Sequence, residues 1–117
     1  MKVGLIVEGH HDANRIRAVF GFKHEFVVTN ATRFTNRTSR DIDKMLRFID
    51  KAYILTDPDE AGDIIAGMIS NEYPQLERIN IDPERCKYIN RNHTQYCGVE
   101  FVEPQHIKDV FTKVGIA

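Results

Sequence analysis

Apolar positions follow two patterns along this chain. Val3 to Val7 (VGLIV) and Ala52 to Thr56 (AYILT) are unbroken apolar runs, as expected of strands buried on both faces. Asp12 to Phe20 instead places Ala13, Ile16, Val19 and Phe20 at helical spacing, and Gly21 supplies a stop. His24 to Thr29 (HEFVVT) predicts a second strand, and the polar stretch Asn30 to Arg40 predicts a loop. Thr38, with Asp41 three residues on, marks a helix start, followed by a stripe of Ile42, Met45, Leu46 and Ile49. Ala61, Ile64, Ile65, Met68 and Ile69 mark another helix, and the alternation in Arg78 to Ile81 (RINI) predicts an outer strand. A last helix is expected from about Pro104, with Ile107, Val110, Phe111 and Val114 on one face. The stretch Asp82 to Gly98 mixes Pro83, Asn90, Asn92 and Gly98 with basic residues and reads as irregular.

Strands alternating with helices predict an α/β fold, a mostly parallel sheet covered by helices. The chain has 117 residues, which fits one domain spanning 1–117 and a core that needs no disulfide or metal in order to fold. At 42% hydrophobic and 28% charged it has the composition of a soluble protein. No apolar run approaches the roughly 20 residues of a membrane helix, and the N-terminus reads as a strand, not a signal peptide. Cys86 and Cys97 are not a CxxC pair; buried thiols in a cytoplasmic protein are the expectation. Sixteen basic residues against 17 acidic argue against strong non-specific duplex binding, without excluding a local basic face.

The two apolar runs end in acids. "EGHHD" (Glu8 to Asp12) follows the first, and "DPDEAGD" (Asp57 to Asp63) follows the second. In an open parallel sheet, ligands bind beyond the carboxyl ends of the strands. If these two strands are neighbours, Glu8, Asp57 and Asp59 converge there. Clustered carboxylates repel one another, and a divalent cation offsets the repulsion. Mg²⁺ takes hard oxygen ligands and often uses only one or two carboxylates, the rest being water or phosphate. Gly9 and Gly62 allow sharp entry into helices whose N-termini can face a phosphate. Each of Glu8, Asp12, Asp59 and Glu60 also suits a simple helix cap.

"LIVEGHHDA" and "ILTDPDEAGD" resemble the two signature motifs of the Toprim domain, the catalytic domain of topoisomerases, bacterial primases and several nucleases. The first motif's Glu falls on Glu8, and the second motif's Asp-x-Asp and Gly fall on Asp57, Asp59 and Gly62, about fifty residues on. The resemblance implies a Rossmann-like three-layer sandwich around a four-stranded sheet. It implies Glu8 as catalytic acid or base, and a Mg²⁺ or Mn²⁺ ion held by Asp57 and Asp59 together with Glu8. "GVEFVEPQHIKDVF" (Gly98 to Phe111) is similar to a segment of the ribonuclease M-five family, which would bring Glu100 near the site. The implied reaction is hydrolysis of a nucleic-acid phosphodiester, in RNA or DNA, and the need for a protein partner stays open. Where relatives carry basic residues around the second motif, this chain has Glu60, Asp63, Ile64 and Ile65.

Substrate contacts are expected from Gly9, His10, His11, Arg33, Gly62 and Glu100. For His10 and His11 the plainer reading, partly exposed residues leading into the first helix, is the favoured one. Arg85, Lys87, Arg91 and His93, interleaved with Tyr88 and Tyr96, suit single-stranded nucleic acid or an ordinary charged loop. Cys86, His93 and Cys97 lack usual zinc spacing. Two rival readings are a non-catalytic metal- and nucleic-acid-binding module, and a phospho-receiver using Asp57. The receiver lacks its acidic pair and a well-placed Lys.

Overall fold

The computed structural model describes residues 2–30, 34–93 and 95–116. Strands β1 (Gly4–Val7), β2 (Glu25–Val28), β3 (Ala52–Ile54) and β4 (Glu77–Arg78) form one sheet in the order β2-β1-β3-β4. All neighbours are parallel: Leu5 lies opposite Phe26 on one side and Tyr53 on the other, and Ile54 lies opposite Arg78. Helices α1 (His10–Phe20), α2 (Asn36–Leu46), α3 (Glu60–Glu72) and α4 (Pro104–Lys113) cover the sheet.

Side chains alternate across a strand, and the alternation divides the core in two. Leu5, Val7, Tyr53 and Leu55 pack on Ala13 and Ile16 of α1 and on Ile107 and Phe111 of α4. Ile6, Val27, Ala52 and Ile54 meet Ile42 and Met45 of α2 and Ile65 and Ile69 of α3. Both faces are buried, which is why β1 and β3 read as unbroken apolar runs. Each fully buried Leu or Ile contributes on the order of 2 kcal/mol. The result is the α/β sandwich expected from the alternation. Among the described residues no helix is long and apolar enough to cross a membrane.

Several boundaries differ from expectation for local reasons. α1 starts at His10 rather than Asp12, because Gly9 takes the N-cap and the Asp12 carboxylate reaches back to the Gly9 N–H at 3.1 Å. α2 starts at Asn36, inside the expected loop: the Thr35 hydroxyl caps it by accepting the Thr38 N–H at 3.3 Å. The apolar stripe expected for α3 includes Ile64 and Met68, yet they are 51% and 43% exposed. The buried face shifts to Gly62, Ile65, Ala66 and Ile69, leaving Ile64 and Met68 toward solvent. The outer strand is only Glu77–Arg78, with Ile79 adding one further bond to the Ile54 carbonyl.

The stretch read as irregular contains an antiparallel hairpin, β5 (Lys87–Ile89) and β6 (Gln95–Cys97). A 3-10 turn at Pro83–Arg85 precedes it and another at Val99–Phe101 follows. Every residue of β5 is exposed, so no burial alternation betrays the strand. Tyr88 stacks on Phe101, with ring centroids 4.9 Å apart.

The chain leaves β1 through α1 on one face of the sheet and leaves β3 through α3 on the other. The two central strands therefore part in opposite directions. The crevice beyond their carboxyl ends is a topological switch point, where α/β proteins of this kind bind ligands.

Candidate functional site

Glu8 is the first residue after β1, and Asp57 follows β3 after Leu55 and Thr56. Glu8 Oε1 accepts the Asp57 N–H at 2.7 Å, spanning the switch point. Asp57 Oδ1 accepts the Val99 N–H at 2.8 Å, so the turn after β6 grips it from the other side. The Asp57 carbonyl accepts Arg78 Nη2 at 3.0 Å, while Arg78 Nη1 binds Asp63 at 2.8 Å. Asp59 caps α3 through the Gly62 N–H at 2.7 Å. Gly62 is there for close approach: a Cβ on it would lie 1.9 Å from the Asp57 carbonyl oxygen. The Thr56 hydroxyl donates to the Gly62 carbonyl at 2.9 Å and ties strand end to helix start.

Capping and clustering thus coexist. Asp12 and Asp59 meet the helix ends as caps do, and they still belong to one acidic crevice. Glu8, Asp57 and Asp59 each commit one oxygen to a backbone N–H. Among the described residues their second oxygens make no hydrogen bond.

The electrostatics are those of clustered, partly buried carboxylates that raise one another's pKa. Burial, with the charges of Asp57, Asp59 and Asp12, pushes the Glu8 carboxyl from 4.5 to about 7, against the lowering effect of its bond from Asp57. Burial and Asp57 push Asp12 from 3.8 to about 6, with Glu100 adding to the effect. Asp57 is also raised, by burial first and then by Asp59 and Glu100, although its Val99 bond opposes the shift. Among the described residues, the ion pairs lie elsewhere: Lys2–Glu25, Arg78–Asp63, Arg85–Glu103 and Lys87–Glu84. No three His, Cys, Asp or Glu side chains among the described residues form a ready cation cage. An all-oxygen donor set with few carboxylates matches a hard ion that keeps water or phosphate in its shell.

The expected site residues fall as follows. Gly9 is the N-cap of α1, and His10 and His11 are its first two residues, both exposed. Glu100 sits half-buried in the 3-10 turn, and its charge is felt at Asp12 and Asp57. Arg33 lies outside the described residues. From sequence, Asp12 reads only as a cap, and neither Arg78 nor Val99 stands out. The five-residue unit "EGHHD" carries the signal for Asp12: position four beyond Glu8 is the third residue of a helix starting at His10. Nothing local marks Arg78 or the Val99 amide, since both reach Asp57 through tertiary packing.

Comparison with known proteins agrees with this fold. The model of the Toprim domain family matches residues 4–94, from the start of β1 to beyond β5. A solved structure described as a small TOPRIM domain protein from Bacillus stearothermophilus superposes with a TM-score of 0.68. The two sequences are 24% identical, and the match covers 96% of this chain and 87% of the other, a likeness of fold. No curated protein matches the sequence. With the family match spanning most of its length and the same sheet underlying it, this chain belongs to the Toprim domain family.

Proposed function

We propose that this chain hydrolyses phosphodiester bonds in nucleic acid, with Glu8 as the general acid or base. The observation behind this reading is the Glu8 carboxyl itself. It stands at the switch point, 2.7 Å from the Asp57 amide, and is pushed up to about 7. A carboxyl in that range both gives and takes a proton near neutral pH. Asp57 and Asp59, with Glu8, are the residues that would hold Mg²⁺ or Mn²⁺. When bound, such an ion polarises a phosphoryl oxygen and acidifies a coordinated water.

The chain's own groups do the positioning. Val99 N–H and Arg78 hold Asp57 by its carboxylate and its carbonyl, so the side chain cannot swing out of the crevice. Gly9, His10 and His11 at the start of α1, and Gly62 near the start of α3, lie where helix N-termini favour a phosphate. Arg33 and Glu100 complete the proposed substrate contacts. The stacked Tyr88–Phe101 pair suits an unpaired base, and exposed Arg91, three residues along the chain from Tyr88, suits a phosphate.

The test is cleavage of single-stranded and structured RNA and DNA by the purified chain with Mn²⁺. Glu8→Gln is expected to abolish cleavage while Mn²⁺ still binds. Cleavage that survives this change removes Glu8 from the chemistry.

One observation favours a second reading, a Toprim module that binds metal and nucleic acid but acts with a protein partner. No basic side chain among the described residues forms an ion pair with Glu8, Asp12, Asp57 or Asp59, and Glu60 adds negative charge at the start of α3, where Asp63 is already paired with Arg78. That reading expects metal binding without cleavage until the partner is added. Membership of the Toprim family sets the receiver reading aside.

A further inference from the structure

We infer that Cys86 and Cys97 are a reversible dithiol–disulfide site, closed by exchange with a small-molecule disulfide, that latches the β5–β6 hairpin to the acidic crevice. Cys86 immediately precedes β5, and Cys97, the last residue of β6, lies opposite Lys87. The two thiols therefore sit at the open end of one hairpin. Their Sγ atoms are 2.6 Å apart, and both face the Pro83 carbonyl, at 3.5 and 3.7 Å. Cross-linking needs the two cysteine backbones close and the side chains turned toward each other, and both conditions hold here.

Exposure assigns the order of events. Cys86 is fully buried, and Cys97 is partly exposed. Burial and the contact with Cys97 push the Cys86 thiol up to about 12, so it does not react with solvent species on its own. The Cys97 thiolate attacks one sulfur of glutathione disulfide, forming a mixed disulfide and releasing one glutathione. The Cys86 sulfur then attacks Cys97 Sγ, its proton leaving with the second glutathione. Two thiols and one disulfide become one internal disulfide and two glutathione thiols, with no other oxidant required.

The position of the bond gives it a consequence. The Cys86 carbonyl accepts the Gly98 N–H at 3.2 Å, and the next residue, Val99, holds Asp57 Oδ1. The Glu100 carbonyl in turn accepts Arg15 Nε at 2.7 Å, fastening the same turn to α1. A covalent link at Cys97 restrains the strand that delivers Val99 to Asp57. Closing the pair therefore rigidifies one wall of the crevice, and reduction frees it.

The full-length chain is incubated with glutathione disulfide at neutral pH. Free thiols are counted, the mass is read without reductant, and amide exchange is followed at Val99. The expected result is loss of both thiols with no glutathione retained, and severalfold slower exchange at Val99 that dithiothreitol reverses. Cys86→Ser is expected to trap glutathione on Cys97. Wild-type protein that accumulates glutathione on Cys97 beside a free Cys86 overturns the pairing. A closed disulfide that leaves Val99 exchange unchanged overturns the latch. Both of these readouts use the wild-type chain, so neither depends on how a variant at the buried Cys86 folds. Both are also independent of whether the chain cleaves nucleic acid.

Discussion

Replacing Glu8 by Gln should stabilise the metal-free protein at alkaline pH, although it removes the proposed catalytic group. Gln is nearly isosteric and keeps an oxygen for the Asp57 N–H, so the 2.7 Å bond across the switch point can persist. What it removes is charge. The Glu8 carboxyl is held at about 7 against 4.5 in the unfolded chain, mainly by burial. The folded state therefore retains a proton that the unfolded chain has already lost, and stability falls as pH rises from 4.5 through 7. At about 1.4 kcal/mol per pH unit, that window corresponds to roughly 3 kcal/mol of penalty, full only above about pH 7. Glu8 is only half-buried, and solvent screening reduces the figure to about 1–2 kcal/mol. Urea unfolding in chelator at about pH 4.5, 6 and 8 reads this directly, since the slope for such a domain is about 1–3 kcal/mol per molar. Equal midpoints are expected at the acid end, with Glu8→Gln pulling ahead by the alkaline end. Added Mg²⁺ should narrow the gap by stabilising the wild type more than the variant, because only the wild type offers the Glu8 carboxylate to the ion. A variant that is less stable at alkaline pH, or a gap that does not close on acidification, refutes a Glu8 carboxyl raised by burial and its acidic neighbours.

Other perturbations probe the parts around it. Gly62→Ala forces a Cβ against the Asp57 carbonyl, and by the usual cost of overpacking should destabilise by about 1–3 kcal/mol or displace the Asp57 loop, read by thermal melting. Arg78→Ala strips the Asp57 carbonyl and Asp63 of their donor and should cost about 1–3 kcal/mol while weakening Mn²⁺ binding; an unchanged titration would show that Arg78 does not position the site. His24 is buried with Nδ1 accepting the Val3 N–H, and its pKa is lowered from 6.5 by burial. Its contribution is therefore present above 6.5 and lost as pH falls below that value, opposite in sign to Glu8; a His24 resonance titrating above 6.5 would contradict this. Tyr88→Ala should weaken single-stranded RNA binding by about 1–3 kcal/mol in anisotropy titrations, and duplex binding much less.

The layout of the sheet and the pair of acidic strand ends were legible because burial on both faces leaves unbroken apolar runs. Val3 to Val7 and Ala52 to Leu55 are such runs, and the acids behind them fall where the strand order reverses. Helix starts were less legible. Thr35 caps α2 three residues before Thr38, and both residues carry the same capping chemistry. The β5–β6 hairpin was hidden because β5 is exposed and both strands are short. The grip on Asp57 was hidden for another reason: Val99 and Arg78 lie 42 and 21 residues away, and nothing local in either stretch points to Asp57. The thiol pair likewise needs the hairpin register, since a separation of 11 residues carries no motif.

Mn²⁺ binding by calorimetry, on wild-type protein and on a variant with both Asp57→Asn and Asp59→Asn, bears most directly on the proposed function. Asn keeps the shape of both residues and an oxygen for the Val99 and Gly62 amides, so loss of binding reports charge and not misfolding. The wild type should bind Mn²⁺, and the variant should bind at least about tenfold more weakly, a difference of about 1.4 kcal/mol. Equal binding by the two proteins, or no heat from the wild type even with single-stranded RNA present, would mean that this crevice is not a metal centre.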